Sequence, residues 1–180
     1  MPNKILCFGV IAGLIVGIPM FGMTVLMKGH LPSPYGMILG YSIMLVALST
    51  VFVGIKLYRD ADLGGVIGFW QAFGLGLGIS FVAGVFYVVA WEAALAVTHM
   101  DFAGDYSRML IAEQQSKGVT GEALAKFTAE MEHFKAEYAN PLYRVPMTFA
   151  EIFPVGVLVS LVSAALFRNS RFLPARRTQS

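Results

Sequence analysis

Residues 63–91 have the sequence LGGVIGFWQAFGLGLGISFVAGVFYVVAW, which contains no charged side chain. A hydrocarbon core about 30 Å thick is crossed by roughly 20 helical residues, so this run is long enough to span a bilayer. Three further runs meet the same criterion, and Glu151 is the only charged residue in them: Ile5 to Met27, Tyr35 to Ile55 and Val145 to Phe167. The sequence therefore predicts an all-α fold, a bundle of four transmembrane helices.

The composition supports a lipid environment. Hydrophobic residues make up 57% of the chain and charged residues 13%, whereas soluble proteins carry about 25% charged residues. A net charge of +2 is too small to indicate nucleic-acid binding, and the basic residues form no continuous stripe. The lipid bilayer is the predicted partner, and nucleic acid is not.

The positions of lysine and arginine predict an orientation. If the chain crosses the membrane four times, one side of the membrane receives Lys4, Lys56, Arg59, Arg168, Arg171, Arg176 and Arg177. Positively charged loops resist transfer across the membrane, so this side should be the cytoplasm and both termini should lie there. The opposite side receives a short link near residues 28–34 and a long loop in which basic residues are outnumbered by acidic ones.

The long loop, at about residues 99–141, has the pattern of a helical hairpin. Apolar residues recur every three or four positions along one face: Leu124, Phe127, Met131, Phe134 and Tyr138. Phe102 and Tyr106 have the same spacing in the preceding segment, Gly118 and Thr120 suit the turn, and Asn140-Pro141 suits the end of the second helix. We expect residues 1–180 to form one membrane domain with this hairpin outside the bilayer. Its apolar faces could pack on each other, on the bilayer surface or on another protein.

Two tryptophans indicate where the third span meets the membrane interfaces. Trp70 and Trp91 are 21 residues apart, and 21 helical residues rise about 31 Å, close to one bilayer thickness. This spacing predicts that Glu92 lies at the outer interface. Because the fourth span enters from the same side, Glu151 should lie at a similar level.

Small residues spaced four apart predict where the transmembrane helices approach closely, since lipid provides no hydrophobic force between helices. The first and third spans each have such a ridge, and the fourth has a weaker one: Gly9, Gly13 and Gly17; Gly76, Ser80 and Gly84; Gly156, Ser160 and Ala164. These surfaces favour packing within one bundle, or between copies.

Glu92, His99 and Glu151 are the best candidates for a polar or ion site. Glu92 and His99 share a helix face, and the three side chains could bind a divalent cation or relay a proton near the outer surface. Simpler interpretations exist for both carboxylates. Glu92 could pair with Arg144, and Thr148-x-x-Glu151 matches a capping box at the start of the last helix.

Motifs of known reactions are missing from the sequence. The three histidines are scattered, and no nucleophile elbow, phosphate loop or dinucleotide fingerprint occurs. We therefore expect no catalytic residue, metal site or cofactor, and we do not expect an enzyme.

Four stretches follow one another along the chain: residues 64–73, Tyr106-Ser107-Arg108-Met109, Met131-Glu132-His133-Phe134 and Asn140-Pro141. Their order resembles a family of bacterial inner-membrane proteins of unknown function, DUF4199, and the resemblance rests on these stretches. It covers most of the chain and implies a four-helix membrane protein with a helical insert before the last span. It implies no catalytic residue.

Two hypotheses of different classes follow. The first is a non-enzymatic scaffold or accessory subunit whose outer hairpin contacts another membrane protein or a second copy of the chain. The second is a small oligomeric transporter or ion-linked protein that uses Glu92 and Glu151 along a polar path.

Overall fold

The protein is built from α-helices. A computed structural model describes residues 1–27 and 34–174, with the backbone alone at residues 34–37. Six helices occur in these ranges, and no strand does: α1 Pro2–Leu26, α2 Pro34–Asp62, α3 Phe69–Thr98, α4 Phe102–Ser116, α5 Gly121–Tyr138 and α6 Pro141–Phe167. Four are long and apolar enough to cross a membrane, namely α1, α2 over Ile38–Asp62, α3 and α6. The predicted fold class is confirmed.

The predicted limits of the third span are wrong at both ends. The helix begins at Phe69 rather than Leu63, because Gly64 and Gly65 adopt φ values of 64° and 95° that a helix does not allow. These glycines form the turn after α2, where the Gly65 N–H donates to the Arg59 carbonyl at 2.9 Å. At the other end α3 continues for about two turns past Trp91, so this tryptophan does not end the helix.

The last helix begins earlier than the apolar run suggested. The Asn140 side chain accepts a hydrogen bond from the Leu142 N–H at 3.0 Å, and Pro141 occupies the first helical position, where proline is favoured. Thr148 is therefore an interior residue whose hydroxyl donates to the Arg144 carbonyl at 3.0 Å. The capping-box interpretation of Thr148 and Glu151 is wrong, because the cap is already supplied by Asn140.

Glycines bring α1 and α3 together. A Cβ atom added to Gly9 would lie 2.5 Å from Val82 Cβ, and one added to Gly13 would lie 2.5 Å from Phe86 Cβ. Gly17 continues the contact next to Ala90. The contacts rise together along both helices, so α1 and α3 run parallel, with backbones closer than any larger residue would permit.

Small residues also join α3 and α6, which run antiparallel. A Cβ added to Gly76 would lie 2.7 Å from Ser160 Oγ, and one added to Gly156 would lie 2.6 Å from Ser80 Cβ. The two serine hydroxyls are 3.4 Å apart, and Ser160 also donates to the Gly156 carbonyl at 2.7 Å. Gly84 faces the Phe149 ring farther along the same crossing. The helix α2 completes the bundle by packing on α1, α6 and α3.

The bundle is closed at the end that holds Lys4, Arg59 and Arg168, which we call the basic end. Arg59 has no exposed surface. Its guanidinium donates to the carbonyls of Phe172 and Leu173, pairs with Asp60 at 2.7 Å and lies 4.9 Å from the centre of the Phe167 ring. The chain after α6 is thereby held under the bundle.

The helices α4 and α5 form the predicted hairpin at the opposite end, which we call the hairpin end. Lys117 is the C-cap of α4, and Gly118 follows it with a φ of 81°. Thr120 is the N-cap of α5. The two helices pack on each other, and α5 also contacts α6. The hairpin therefore lies over the bundle and is not detached from it.

Candidate functional site

A cleft of about 570 Å³ opens at the hairpin end, between α1, α2, α3 and α6 and under the hairpin. Seven methionines among the described side chains line it: Met20, Met23, Met27, Met44, Met100, Met109 and Met147. Methionine side chains are flexible and polarizable, so they adapt to ligands of varied shape. The cleft is mostly apolar and has a few convergent polar groups, which is the usual character of a ligand site.

Aromatic rings of the hairpin cover one side of this cleft. The Trp91 indole N–H donates to the Tyr138 hydroxyl at 2.8 Å, and the ring centres of Trp91 and Phe102 are 5.1 Å apart. Phe102 stacks on Tyr106 at 5.7 Å, and Phe134 lies 5.5 Å from Tyr138. Burial raises the pKa of the Tyr138 phenol. The amphipathic face predicted for the hairpin thus packs inward, on the other hairpin helix and on the bundle.

Glu92 and Arg144 form a bidentate ion pair between α3 and α6. Arg144 Nε donates to Glu92 Oε1 at 2.7 Å, and Arg144 Nη2 donates to Glu92 Oε2 at 2.6 Å. The same guanidinium donates to the Tyr138 carbonyl at 3.3 Å. Because Tyr138 is the last residue of α5, this group of three residues ties the hairpin to two membrane helices.

Glu151 has a different environment. Its carboxylate accepts a hydrogen bond from the Tyr87 hydroxyl at 3.0 Å and lines the cleft. Glu92 does not line the cleft and is bound to Arg144 instead. The two carboxylates proposed as one site therefore have separate partners, and Glu151 alone faces the open space.

His99 does not join either carboxylate. It is the C-cap of α3, exposed, with a left-handed φ of 51°. Within residues 1–27 and 34–174, no group of three histidine, cysteine, aspartate or glutamate side chains is arranged to hold a metal ion. The structure thus separates the members of the predicted set Glu92, His99 and Glu151.

The two tryptophans occupy unlike positions. Trp70 lies in the first turn of α3, 78% exposed, beside the rings of Phe69 and Phe73. Trp91 is covered by the hairpin, as described above. Only Trp70 thus has the open surroundings expected of an interfacial anchor.

Sequence reasoning missed three features of this arrangement: the Tyr87 partner of Glu151, the burial of Arg59 and the methionine lining. A signal existed for the lining, because Met20 and Met23 share one face of α1, and Met27, the C-cap of that helix, continues the spacing of three and four. Tyr87 lies one turn before Trp91, but nothing in the sequence links it to a residue of α6.

These features define a multi-pass membrane protein with four helices able to span the membrane, a helical hairpin at one end of the bundle and a cleft between them. The chain belongs to the family described as Protein of unknown function (DUF4199), whose model matches residues 7–169. The match begins five residues after the start of α1, covers the rest of the six helices and ends two residues past α6. The resemblance deduced from the sequence is confirmed. No curated protein and no solved structure matches the chain.

Proposed function

We propose that the protein is a non-enzymatic scaffold or accessory subunit of a bacterial inner membrane, with both termini in the cytoplasm. The basic end collects Lys4, Lys56, Arg59 and Arg168, and such residues favour the cytoplasmic side. In this orientation the hairpin lies outside the membrane. Its partner is another membrane protein or a second copy of the chain.

The observation that carries the proposal is the attachment of the hairpin to the bundle. The Glu92–Arg144 pair and the Trp91–Tyr138 hydrogen bond hold α5 in place while its aromatic face is covered. A surface that is fixed before binding loses little conformational entropy when a partner binds. A hairpin held in this way suits the presentation of a docking surface.

The surface left for a partner is polar. Along α5, Lys126 and Glu130 are exposed, and along α4 the exposed pair Lys117–Glu113 has an N–O distance of 2.6 Å. Charged groups of this kind contribute mainly specificity and association rate. Recognition of the partner should therefore depend on charge complementarity rather than on an apolar groove in the hairpin.

Co-purification after crosslinking in native membranes tests the scaffold role. Reversing two exposed charges, Lys126→Glu with Glu130→Lys, should abolish the crosslinked species while the protein remains folded. Arg171→Glu, at the opposite end of the molecule, is the matched control and should leave the species unchanged. An unaltered crosslinking pattern in the hairpin variant contradicts the proposal, and the mass of the species distinguishes a second copy from another protein.

An ion-linked transporter is the second candidate, and the position of Glu151 favours it. This carboxylate belongs to the membrane-spanning helix α6 and lines the cleft. Ionisable residues within membrane-spanning helices usually mark a transport path. Glu92 is bound to Arg144, so the polar path would depend on Glu151 alone. Transport in proteoliposomes that persists unchanged in Glu151→Gln excludes this role for the cleft.

A further inference from the structure

We propose that the cleft at the hairpin end binds an apolar organic cation, with the Glu151 carboxylate as its counter-charge. The site does not depend on the scaffold role, because the cleft and the polar face of the hairpin are different surfaces. The proposal rests on the charge of the cleft, on its lining and on its size.

The charge of the cleft is unbalanced among the described residues. Glu151 is the only lysine, arginine, histidine, aspartate or glutamate among those that line it, and its hydrogen-bond donor is the neutral Tyr87 hydroxyl. Glu92, in contrast, has both carboxylate oxygens paired with Arg144. Glu151 therefore complements a positively charged ligand, whereas Glu92 is already neutralised.

The position of Glu151 along α6 makes pairing with a cationic ligand more favourable in free energy. The residue lies seven positions after Arg144 in α6, so it is about 10 Å farther along the helix axis than the Glu92–Arg144 pair, and the two carboxylates do not share the predicted level. An ionised carboxylate at membrane depth is costly unless it is paired. A bound cation would supply the partner that the protein itself provides for Glu92.

The lining selects an organic cation over a metal ion. Tyr41, Tyr87 and Trp91 bring aromatic rings to the cleft, and the faces of such rings attract cations. Methionine is the commonest residue type in the remaining lining, and its side chain packs against apolar groups of varied shape. No cluster of three acidic, histidine or cysteine side chains is available in the described ranges to replace the hydration shell of a metal ion.

The volume fits a ligand larger than a simple amine. Pockets for drug-sized molecules measure about 300 to 1,000 Å³, and this cleft measures about 570 Å³. A cation that carries several apolar groups would fill the space. Its charge would lie near Glu151, and its apolar groups would lie against the methionines.

Two probes of nearly the same shape and opposite charge test the proposal: tetraphenylphosphonium and tetraphenylborate. The chain contains two tryptophans, so in the Trp70→Phe variant the fluorescence reports on Trp91 at the edge of the cleft. In lipid nanodiscs, tetraphenylphosphonium should change this fluorescence in a saturable manner. Tetraphenylborate should give only the unsaturable change that nanodisc lipid produces. Empty nanodiscs measure how much of each probe the lipid takes up.

Substitution of the Glu151 carboxylate provides the decisive comparison of binding affinities. Glu151→Gln keeps an acceptor for the Tyr87 hydroxyl but removes the charge, and it should weaken tetraphenylphosphonium binding about tenfold or more. Glu151→Asp, which keeps the charge, should retain saturable binding and shows that altered packing is not the cause. Glu122→Gln removes an exposed carboxylate of α5 and should bind as the parent does.

Three outcomes would overturn the proposal. They are the absence of saturable tetraphenylphosphonium binding in the parent protein, equal binding of the two probes, and unchanged affinity in a folded Glu151→Gln variant. None of these outcomes bears on the crosslinking test of the hairpin, so the two proposals fail separately.

Discussion

The basic end and the hairpin end of this bundle are built from the same four membrane helices, yet one is closed and the other is open. At the basic end Arg59, Phe167 and Ile55 have no exposed surface, and Gly76 of α3 packs against Ser160 of α6. At the hairpin end the same helices line a cleft of about 570 Å³ with flexible methionines. The contrast teaches that one set of helices can be closed by packing at one end and still leave space for a ligand at the other.

The charged residues at the two ends also have different environments. Arg59 is buried and fully engaged with two backbone carbonyls, a carboxylate and an aromatic ring. Glu151 has one neutral donor and faces open space. A buried charge that is completely paired stabilises a single arrangement, whereas an incompletely paired charge in a cleft is typical of a functional site.

The largest expected effect is at Arg59. Arg59→Met leaves the Phe172 and Leu173 carbonyls without their donor, and it should lower the free energy of unfolding by about 3 kcal/mol or more. Thermal unfolding in detergent measures the loss. The exposed Arg168→Met is the control and should change stability by less than about 0.5 kcal/mol. Equal effects of the two variants would show that the basic end is not held by Arg59.

A matched pair of glycines in α1 tests the helix packing. Gly13→Ala places a Cβ where Phe86 already lies, and overpacking of this kind costs about 1 to 3 kcal/mol. Nothing lies within 4 Å of a Cβ added to Gly22, so Gly22→Ala should be neutral or slightly stabilising. Unfolding of both variants in detergent gives the comparison. Similar destabilisation by the two substitutions would refute close packing of α1 on α3.

A smaller and more local effect is expected for the ion pair that holds the hairpin. Glu92 and Arg144 are partly exposed, so Glu92→Gln should cost only about 1 kcal/mol. Hydrogen exchange should rise severalfold in residues 121–138 while α1 stays protected. The exposed pair of Glu113 with Lys117 provides the control, since Glu113→Gln should leave exchange in α5 unchanged. A uniform rise across the whole bundle would mean that the pair supports the fold rather than the hairpin.

The smallest effect concerns the pH dependence of the hairpin. Because burial raises the pKa of Tyr138, the contribution of this neutral phenol to folding is complete below about pH 10, the usual tyrosine pKa. It is lost as the pH rises through the higher pKa of the folded state. In the Trp70→Phe background, Trp91 fluorescence should shift at alkaline pH, and Tyr138→Phe should remove that shift. A shift that is identical in both proteins would assign it to another group.

The sequence predicted the fold better than the site, for physical reasons. Apolar length alone predicts spans, and helical spacing alone predicted the hairpin face that includes Phe134 and Tyr138. The start of α3 was misplaced because Gly64 and Gly65 look like part of an apolar run, although their positive φ values make a turn. Local sequence patterns predict the positions of helices well, except where glycine permits two backbone conformations.

The candidate site depends on contacts between helices, which sequence spacing does not encode. The pairing of Tyr87 with Glu151 joins residues 64 positions apart, and that of Glu92 with Arg144 joins residues 52 positions apart. The second pairing was foreseen as a simple alternative, because the order of the spans predicts that both residues lie at the same end of the bundle. The first was not, because no pattern shows which residue of α3 faces α6 at that depth.

Thiol labelling tests the contrast between the two ends most directly. In a Cys7→Ser background, one cysteine is placed on α6 at Ala150, which lines the cleft, or at Ser163, which is buried near the basic end. We predict that a water-soluble thiol reagent modifies Ala150→Cys in the folded protein and modifies Ser163→Cys only after denaturation. Equal modification of the two folded variants, or protection of both, would contradict the account.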